Sequence, residues 1–436
     1  MSILNVNKIN PVGGGSTITI AGIASVTSSV TAPSFVGAVT GNVTGNVTGN
    51  ADTASGLSGN PSINTTGIVT ATTLNYTGNQ NLSNRNLVIN GAMLVAQRGT
   101  SSTSSGYYSV DRFEALHTGV NESPTQAQVD VASGTTPYTL GFRKALKITN
   151  GNQTGGADAG DAIYLRYRPE AQDIAGSGWN YTSTSSFITL SFWVKSSVAQ
   201  NFFGVIETSD GTQKMYPFQT GSLTADTWTK VTKIIPGHAD LTFNMDNGQA
   251  LGINWMQFMG TAYTANSAVV DTWKAQSDTE RMPDNTSTWY TTNDATFEIT
   301  GVQLEVGPVA TPFEHRSFSD ELRRCQRYYF RFTPSNNGFY GVGNIDGGNQ
   351  SQILVTFPTE MRTKPTSIET TGSASNYILR VTSNVTCTSV PQLDNTTTTN
   401  ALVVPYASSH GFTDKSGAFL RANGDASYLG FAGAEL

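Results

Sequence analysis

Residues 297–331 read FEITGVQLEVGPVATPFEHRSFSDELRRCQRYYFR, and they decide how the chain is divided. Phe297 and Ile299 alternate as on a strand. After Gly301 the apolar phase slips to Val302, Leu304 and Val306, which predicts a bulge or bend at the glycine. Pro308, Pro312 and Phe313 make a connector. Ser319 is placed to cap a short helix, with Asp320 and Glu321 in its first turn and Arg323, Arg324 and Arg327 further along. Phe318, Leu322, Cys325 and Tyr329 share one face at helical spacing. A helix of about three turns is too short to stand alone in water, so this face must be buried. Burial between copies along a common axis is the expectation, because a junction between two β domains must hold those copies in register.

Working back from this stretch, the residues before it read as many short strands. They are suggested at residues 87–90, 145–148, 163–167, 187–195, 202–207, 228–235, 251–258 and 297–306. Turn-rich runs such as GNQTGG (151–156) separate them. Strands of this kind without helical periodicity predict a sandwich or jelly roll over residues 84–316. Ile188, Leu190, Phe192 and Val194 alternate and should face its core. Residues 260–295 read as a long surface loop or insertion. Beyond a connecting helix at 317–331, residues 332–436 read as a small C-terminal β-sandwich. Ile353, Val355 and Phe357 alternate there, as do Tyr377, Leu379 and Val381.

Residues 1–83 are different. A tetrapeptide recurs as GAVT, GNVT, GNVT and GNAD over residues 37–52. In an extended chain Gly and Val of each unit share one face, so Val39, Val43 and Val47 form a stripe. One chain buries almost nothing with such a stripe, whereas several copies wound together bury all three valines. Self-association is the physical sense of this stem; a Gly/Asn/Thr linker without order is the alternative.

Composition excludes several classes. Among 436 residues only 13% are charged, 44 are glycine, and the net charge is −6, which argues against a protein that tracks nucleic-acid phosphates. Two cysteines, Cys325 and Cys387, cannot build a disulfide framework, and free thiols are expected. No stretch approaches the ~20 apolar residues of a membrane span, and the first residues lack the pattern of a secretory leader. The whole reads as all-β: a repetitive stem, a central jelly roll, a short helix and a small sandwich.

The run from Gly301 to Tyr329, together with NLVINGAM (86–93) and FITLSFWVK (187–195), resembles the carbohydrate-binding-module-like jelly roll of bacteriophage tail-fibre proteins. The stem is similar to N-terminal stems of fibres from phages of marine bacteria, and FPTEMRTKP (357–365) and GAEL (433–436) to segments of phage fibre C-termini. Residues 111–113 resemble a strand start of the family, with Phe113 buried and Asp111 structural. The resemblance implies a homotrimeric virion fibre, made in the host cytoplasm and carried on the phage tail or another appendage. Its N-terminus would meet other virion proteins and its jelly roll a host cell-surface glycan. Such modules often hold a structural calcium, for which Asp158 and Asp161 are the candidate ligands; no other cofactor is implied.

Sugar rings stack on exposed aromatic side chains while polar neighbours fix their hydroxyls. Trp179, Tyr181, Trp273, Trp289 and Tyr290 lie in polar segments and are the candidates for glycan contact; Trp193 and Trp228 lie in strands and are expected in the core. For catalysis the sequence offers little. Four histidines share no ligand spacing, and no nucleophile elbow or phosphate loop is present. Glycoside hydrolysis needs two carboxyls about 5–10 Å apart; Asp111 with Glu114, Asp158 with Asp161, and Glu170 with Asp173 are near in sequence only. Non-enzymatic glycan recognition is therefore expected, with a glycan-cleaving tailspike or a purely structural head or baseplate decoration as the alternatives.

Overall fold

Each inward side chain on one strand of a sandwich needs an apolar partner on the facing sheet, and the strand at residues 296–306 supplies the middle of one such layer. The computed structural model describes residues 84–407 and 412–436, together with Gly13. The stripe of Val39, Val43 and Val47 lies outside the described residues. In chain order the first twelve strands are β1 (Ser101–Ser102), β2 (Phe113–Thr118), β3 (Thr125–Asp130), β4 (Lys144–Thr149), β5 (Ala162–Tyr167) and β6 (Phe187–Ser196). They continue with β7 (Asn201–Thr208), β8 (Lys214–Ser222), β9 (Thr229–Pro236), β10 (Leu251–Met259), β11 (Lys274–Ala275) and β12 (Thr296–Val306). Two antiparallel sheets result, ordered β1-β3-β4-β12-β6-β9 and β11-β8-β7-β10-β5-β2. Their inner faces meet in one core containing Ile188, Leu190, Phe192 and Val194 from β6 and Ile253 and Trp255 from β10. The described residues are all-β in architecture, and their helices are short.

The phase slip at Gly301 is a bulge. The pairing of β12 with β6 shifts register between Thr300 and Gln303, and Gly301 has φ +63°. A Cβ there would meet the Phe142 ring at 2.7 Å. Opposite the bulge, residues 86–91 do not form the expected strand. They make a polar clamp: Asn86 Oδ1 accepts from the Val88 and Leu304 amides (2.9 and 3.1 Å) and its Nδ2 donates to Val302 O (3.2 Å). Asn90, at φ +62°, donates to the carbonyls of Val95 and Asp111 (both 2.9 Å). Asparagine tolerates that left-handed conformation because its short amide bonds locally. Gly91 comes so close to β12 that a Cβ would overlap Val302 O.

The connecting helix spans Phe318–Gln326, and its cap is Ser317 rather than Ser319: the Ser317 hydroxyl accepts from the Asp320 amide at 3.2 Å. Its inner face also differs from the expected one. Phe318 is exposed (57%), Leu322 is half-buried, and Cys325 and Tyr329 are buried within their own chain. Cys325 packs with Ile89, Val95 and Tyr328, and the Tyr329 hydroxyl donates to Glu369 at 2.7 Å. Cys325 and Tyr329 are thereby removed as contacts between copies. The reason is local: the first turn is anchored by a carboxylate instead of an apolar group. Glu321 is buried, accepts from the Asn90 amide (2.6 Å), and pairs with Arg316 (3.1 Å).

Past the helix, a seven-stranded sheet runs in the spatial order Asn384–Thr386, Tyr377–Arg380, Gly417–Ala422, Phe339–Asp346, Gln350–Thr356, Asn400–Val404, Gln392–Thr396. A three-stranded sheet, Phe330–Phe332, Leu429–Ala432 and Ser367–Thr370, closes over it, and the two share a second core that holds Cys387 as a free thiol. The two cores lie in one compact unit, Asn75–Leu436, and the contact between them is polar. Arg112 is buried at φ +72°, stacks 3.4 Å over the Tyr328 ring, and reaches Glu435 at 3.4 Å. Arg98 bonds Glu435 at 2.9 Å and lies 3.5 Å over the Tyr329 ring. Arg362 donates to the carbonyls of Ala434 and Glu435 (2.7 and 2.6 Å), and Tyr107 to that of Leu436 (2.8 Å). Glu170 takes a fork from Arg327 (2.6 and 2.8 Å) and the Tyr328 hydroxyl (2.6 Å).

Burial alone would raise the Glu170 carboxyl, yet the hydrogen bonds from Arg327 and Tyr328 bring it below its ordinary value. A carboxyl lowered on folding adds stability above its unfolded pKa and loses it as pH falls through the folded one. Glu170→Gln is therefore expected to cost about 3 kcal/mol or more at pH 7, as breaking a buried pair does. The gap between variant and wild type should narrow in urea titrations run below the ordinary glutamate value. A gap that is the same at both pH values contradicts this role.

Candidate functional site

Two sheets present two outer faces, and among the described residues one is roofed and the other is open. Over the outer face of the β7–β10 sheet, Phe203, Val205, Met215, Met256 and Met259 are covered by Met282, Tyr263 and Val270, so residues 260–290 form a roof. A chain of polar contacts fills the rest of that face: Arg166 to Asn254 (2.9 Å), Asn254 to Glu207 (3.0 Å), and Arg281 to Glu207 (3.4 Å).

The roof carries most of the expected sugar-stacking residues, and the structure corrects them. Trp289 and Tyr290 are buried; Tyr290 stacks on Phe258 with ring centroids 3.7 Å apart and donates its hydroxyl to Asp161 at 2.7 Å. Trp273 is half-buried, donates its indole N–H to Pro236 O (2.7 Å) and packs edge-on to Tyr216. Trp179 is buried in a cluster with Tyr181 and Phe243, and Tyr181 is half-buried in the same cluster. These are polar-looking segments whose aromatics serve as the pegs that hold a loop onto a sheet.

Asp158 and Asp161 do not fit a calcium. Asp158 is exposed, and one Asp161 oxygen accepts both the Tyr290 hydroxyl and the Asp158 amide (2.8 Å). Among the described residues no group of three or more His, Cys, Asp or Glu side chains is placed to hold a metal. The other carboxylates are internal partners as well. Asp111 accepts from the amide and side chain of Gln97, and burial pushes its pKa up to about 6. Glu114 pairs with Arg168 at 3.1 Å.

The outer face of the β12–β6 sheet is where aromatic surface is left over. Trp193, half-buried, stands between Lys230 on β9 and Thr300 on β12. Beside it the chain folds an aromatic wall: Phe142 and Phe313 meet edge-on at 4.9 Å, and Phe313 and His315 do the same at 4.9 Å. His315 Nε2 lies 2.9 Å from Leu140 O, which ties the wall to the loop before β4. Trp193, Phe142, Phe313, Pro312 and the exposed Leu140 line a groove of about 380 Å³, with Ser191, Thr311, Lys230 and His315 as its polar members. Trp228 sits on the same face, half-buried, with Lys195 Nζ 5.3 Å from its ring. The size falls in the ordinary range of ligand pockets, and the mixture of aromatic walls with a few hydroxyls and cations is what a saccharide ring needs.

Reading Trp193 and Trp228 as core residues misses this groove. The signal lies in the strand itself: if Ile188, Leu190, Phe192 and Val194 point inward, the parity of β6 turns Trp193 outward.

No protein-family model matches the chain, and no curated protein matches it. Among solved structures, the enzymatically active domain of bacteriophage CBA120 tailspike protein 4 is similar over 51% of this chain and 21% of that one, at 10% identity and a TM-score of 0.27. This chain thus spans about a fifth of that domain's length. The N-terminal cellulose-binding domain of the Cellulomonas fimi β-1,4-glucanase C is similar over 50% of this chain and 99% of that one (10% identity, TM-score 0.25). The CBM22-1–CBM22-2 tandem of Paenibacillus barcinonensis Xyn10C covers 73% of this chain and 93% of its own (10% identity, TM-score 0.23). At such scores these likenesses carry no argument, and the fold rests on the strand order described above.

Proposed function

We propose that the chain is a virion fibre subunit whose jelly roll binds a host-surface glycan without cleaving it. The observation that carries the reading is the aromatic groove around Trp193: an open face with stacking surface and hydroxyl partners, on a sheet braced from behind by the core. Absence of cleavage is supported by the use of Asp111, Glu114, Asp161 and Glu170 as internal hydrogen-bond and ion-pair partners. The setting on a phage particle rests on the sequence resemblance of the stem, of residues 86–93 and of the run from Gly301 to Tyr329.

Assembly into a homotrimer is supported from two ends. The Gly/Val stripe calls for partners at the stem. At the other end, Phe419 (41% exposed), Val342 (54%) and Leu354 (45%) stand side by side across three paired strands of the seven-stranded sheet. A contiguous apolar row of this kind is costly to leave in water, and a second copy brought near by the stem is its natural cover.

Two outcomes are expected. On a glycan array the intact protein binds a subset of bacterial surface glycans, Trp193→Ala weakens that binding about tenfold or more, as loss of a central aromatic anchor does, and prolonged incubation releases no reducing ends. Binding that survives Trp193→Ala, or release of reducing ends abolished by changing one Asp or Glu, overturns the reading. In light scattering the full-length protein gives three chains per particle; a monodisperse folded monomer contradicts the assembly.

A further inference from the structure

The groove has a sign. None of its described lining residues is acidic, while Lys230 and His315 are both exposed there. The surrounding face repeats the pattern. Glu298 on β12 has Lys147 on one side and Lys195 on the other in the strand register, and Lys195 takes it at 3.0 Å. Among the described residues, Lys147, Lys230 and Arg143 are then left without a carboxylate. Arg143 is held in place over the Tyr138 ring at 4.0 Å by bonds to the carbonyls of Tyr138 and Phe142. In a chain of net charge −6, a face with spare cations around an aromatic floor is a local reversal of sign.

Such a reversal matters for ligand choice. A neutral sugar gains nothing from Lys230 beyond one hydrogen bond, and stacking on Trp193 needs no charge beside it. A carboxylate or sulfate ester on a stacked ring gains a charge-assisted bond from Lys230 and a favourable field from Lys147 and Arg143. Carboxylates of the fold would compete for the same cations; on this face Glu298 is engaged by Lys195, and the buried Glu305 by Arg85 and by the amide and hydroxyl of Thr311.

We propose that this groove selects acidic oligosaccharides, stacking a ring on Trp193 and pairing its carboxylate or sulfate with Lys230. The inference rests on the groove being the glycan site. Full-length protein is titrated calorimetrically with tetragalacturonate, a carrageenan tetrasaccharide and cellotetraose, for a carboxylated, a sulfated and a neutral probe. At least one acidic probe is expected to bind about tenfold or more tightly than cellotetraose at low salt, with the advantage shrinking as salt screens it. Lys230→Met should remove about two- to fivefold of the acidic affinity, the size of one exposed charge pair, and cost cellotetraose less, since a neutral sugar loses one hydrogen bond at most. Lys230→Arg should restore the acidic preference, which a fault in folding would not allow. Which acidic probe is preferred identifies the anion as carboxylate or sulfate.

Cellotetraose bound as well as the acidic probes, and lost in Trp193→Ala, overturns the acidic selectivity while leaving the glycan reading intact. Acidic binding indifferent to both Trp193→Ala and Lys230→Met places it elsewhere and overturns the inference. No binding of any probe counts against the inference, and the glycan reading falls with it only if the array is also blank.

Discussion

A guanidinium taken out of water must be neutralised and bonded where it lies, and Arg112 imposes that demand at the centre of the molecule. Its side chain has no exposed surface. Burial alone would depress its pKa, but the rings of Tyr328 and Tyr167 and the carboxylate of Glu435 hold it above the ordinary value. Meeting the demand fixes three remote pieces of chain at once: the start of β2, the end of the connecting helix, and residues 434–436. An unpaired ion in such a place costs several kcal/mol, so the two sandwiches are held in one arrangement. The left-handed backbone at Arg112 belongs to the same constraint, since a non-glycine residue stays there only where its surroundings over-determine it.

This docking divides the surfaces of the molecule. With the C-terminal sandwich held through Glu435 and the helix, and with residues 260–290 roofing one sheet, the β12–β6 sheet keeps its outer face open. The groove on that face depends on the bulge at Gly301, because only a residue without Cβ lets Phe142 pack against the strand and present the aromatic wall. The same bulge is held from the other side by Asn86 and Gly91. A motif of small and amide-bearing residues in one place thus sets the shape of a surface formed by aromatics in another.

The layers of this fold are legible in the sequence because period-2 alternation reports burial directly. It identifies β4 to β7, β9, β10 and β12, the glycine bulge, and a short helix leading to a second sandwich. Three things are not legible. Residues 87–90 read as a strand, yet their amides are claimed by the side chains of Asn86, Tyr167 and Glu321, and a single sequence does not register a side chain that competes for backbone bonds. Ser317 and Ser319 are both sound caps, and the choice is made by the buried carboxylate of Glu321, a tertiary contact. Sorting tryptophans by the polarity of their neighbours fails in both directions. Trp289 lies among threonines and is a core peg, whereas Trp193 lies among apolar residues and faces out. Strand parity, not local polarity, is the reliable guide to the site.

The central claim is that aromatic surface on the β12–β6 sheet, and not in the roof, meets the ligand. Oxidation of tryptophans by N-bromosuccinimide, located by mass spectrometry with and without a glycan that binds, tests it most directly. Trp193 and Trp228 should oxidise readily in the free protein and be protected when ligand is bound, while Trp179 and Trp289 stay unreactive in both. Protection confined to Trp273, or equal oxidation of Trp193 with and without ligand, would contradict the account.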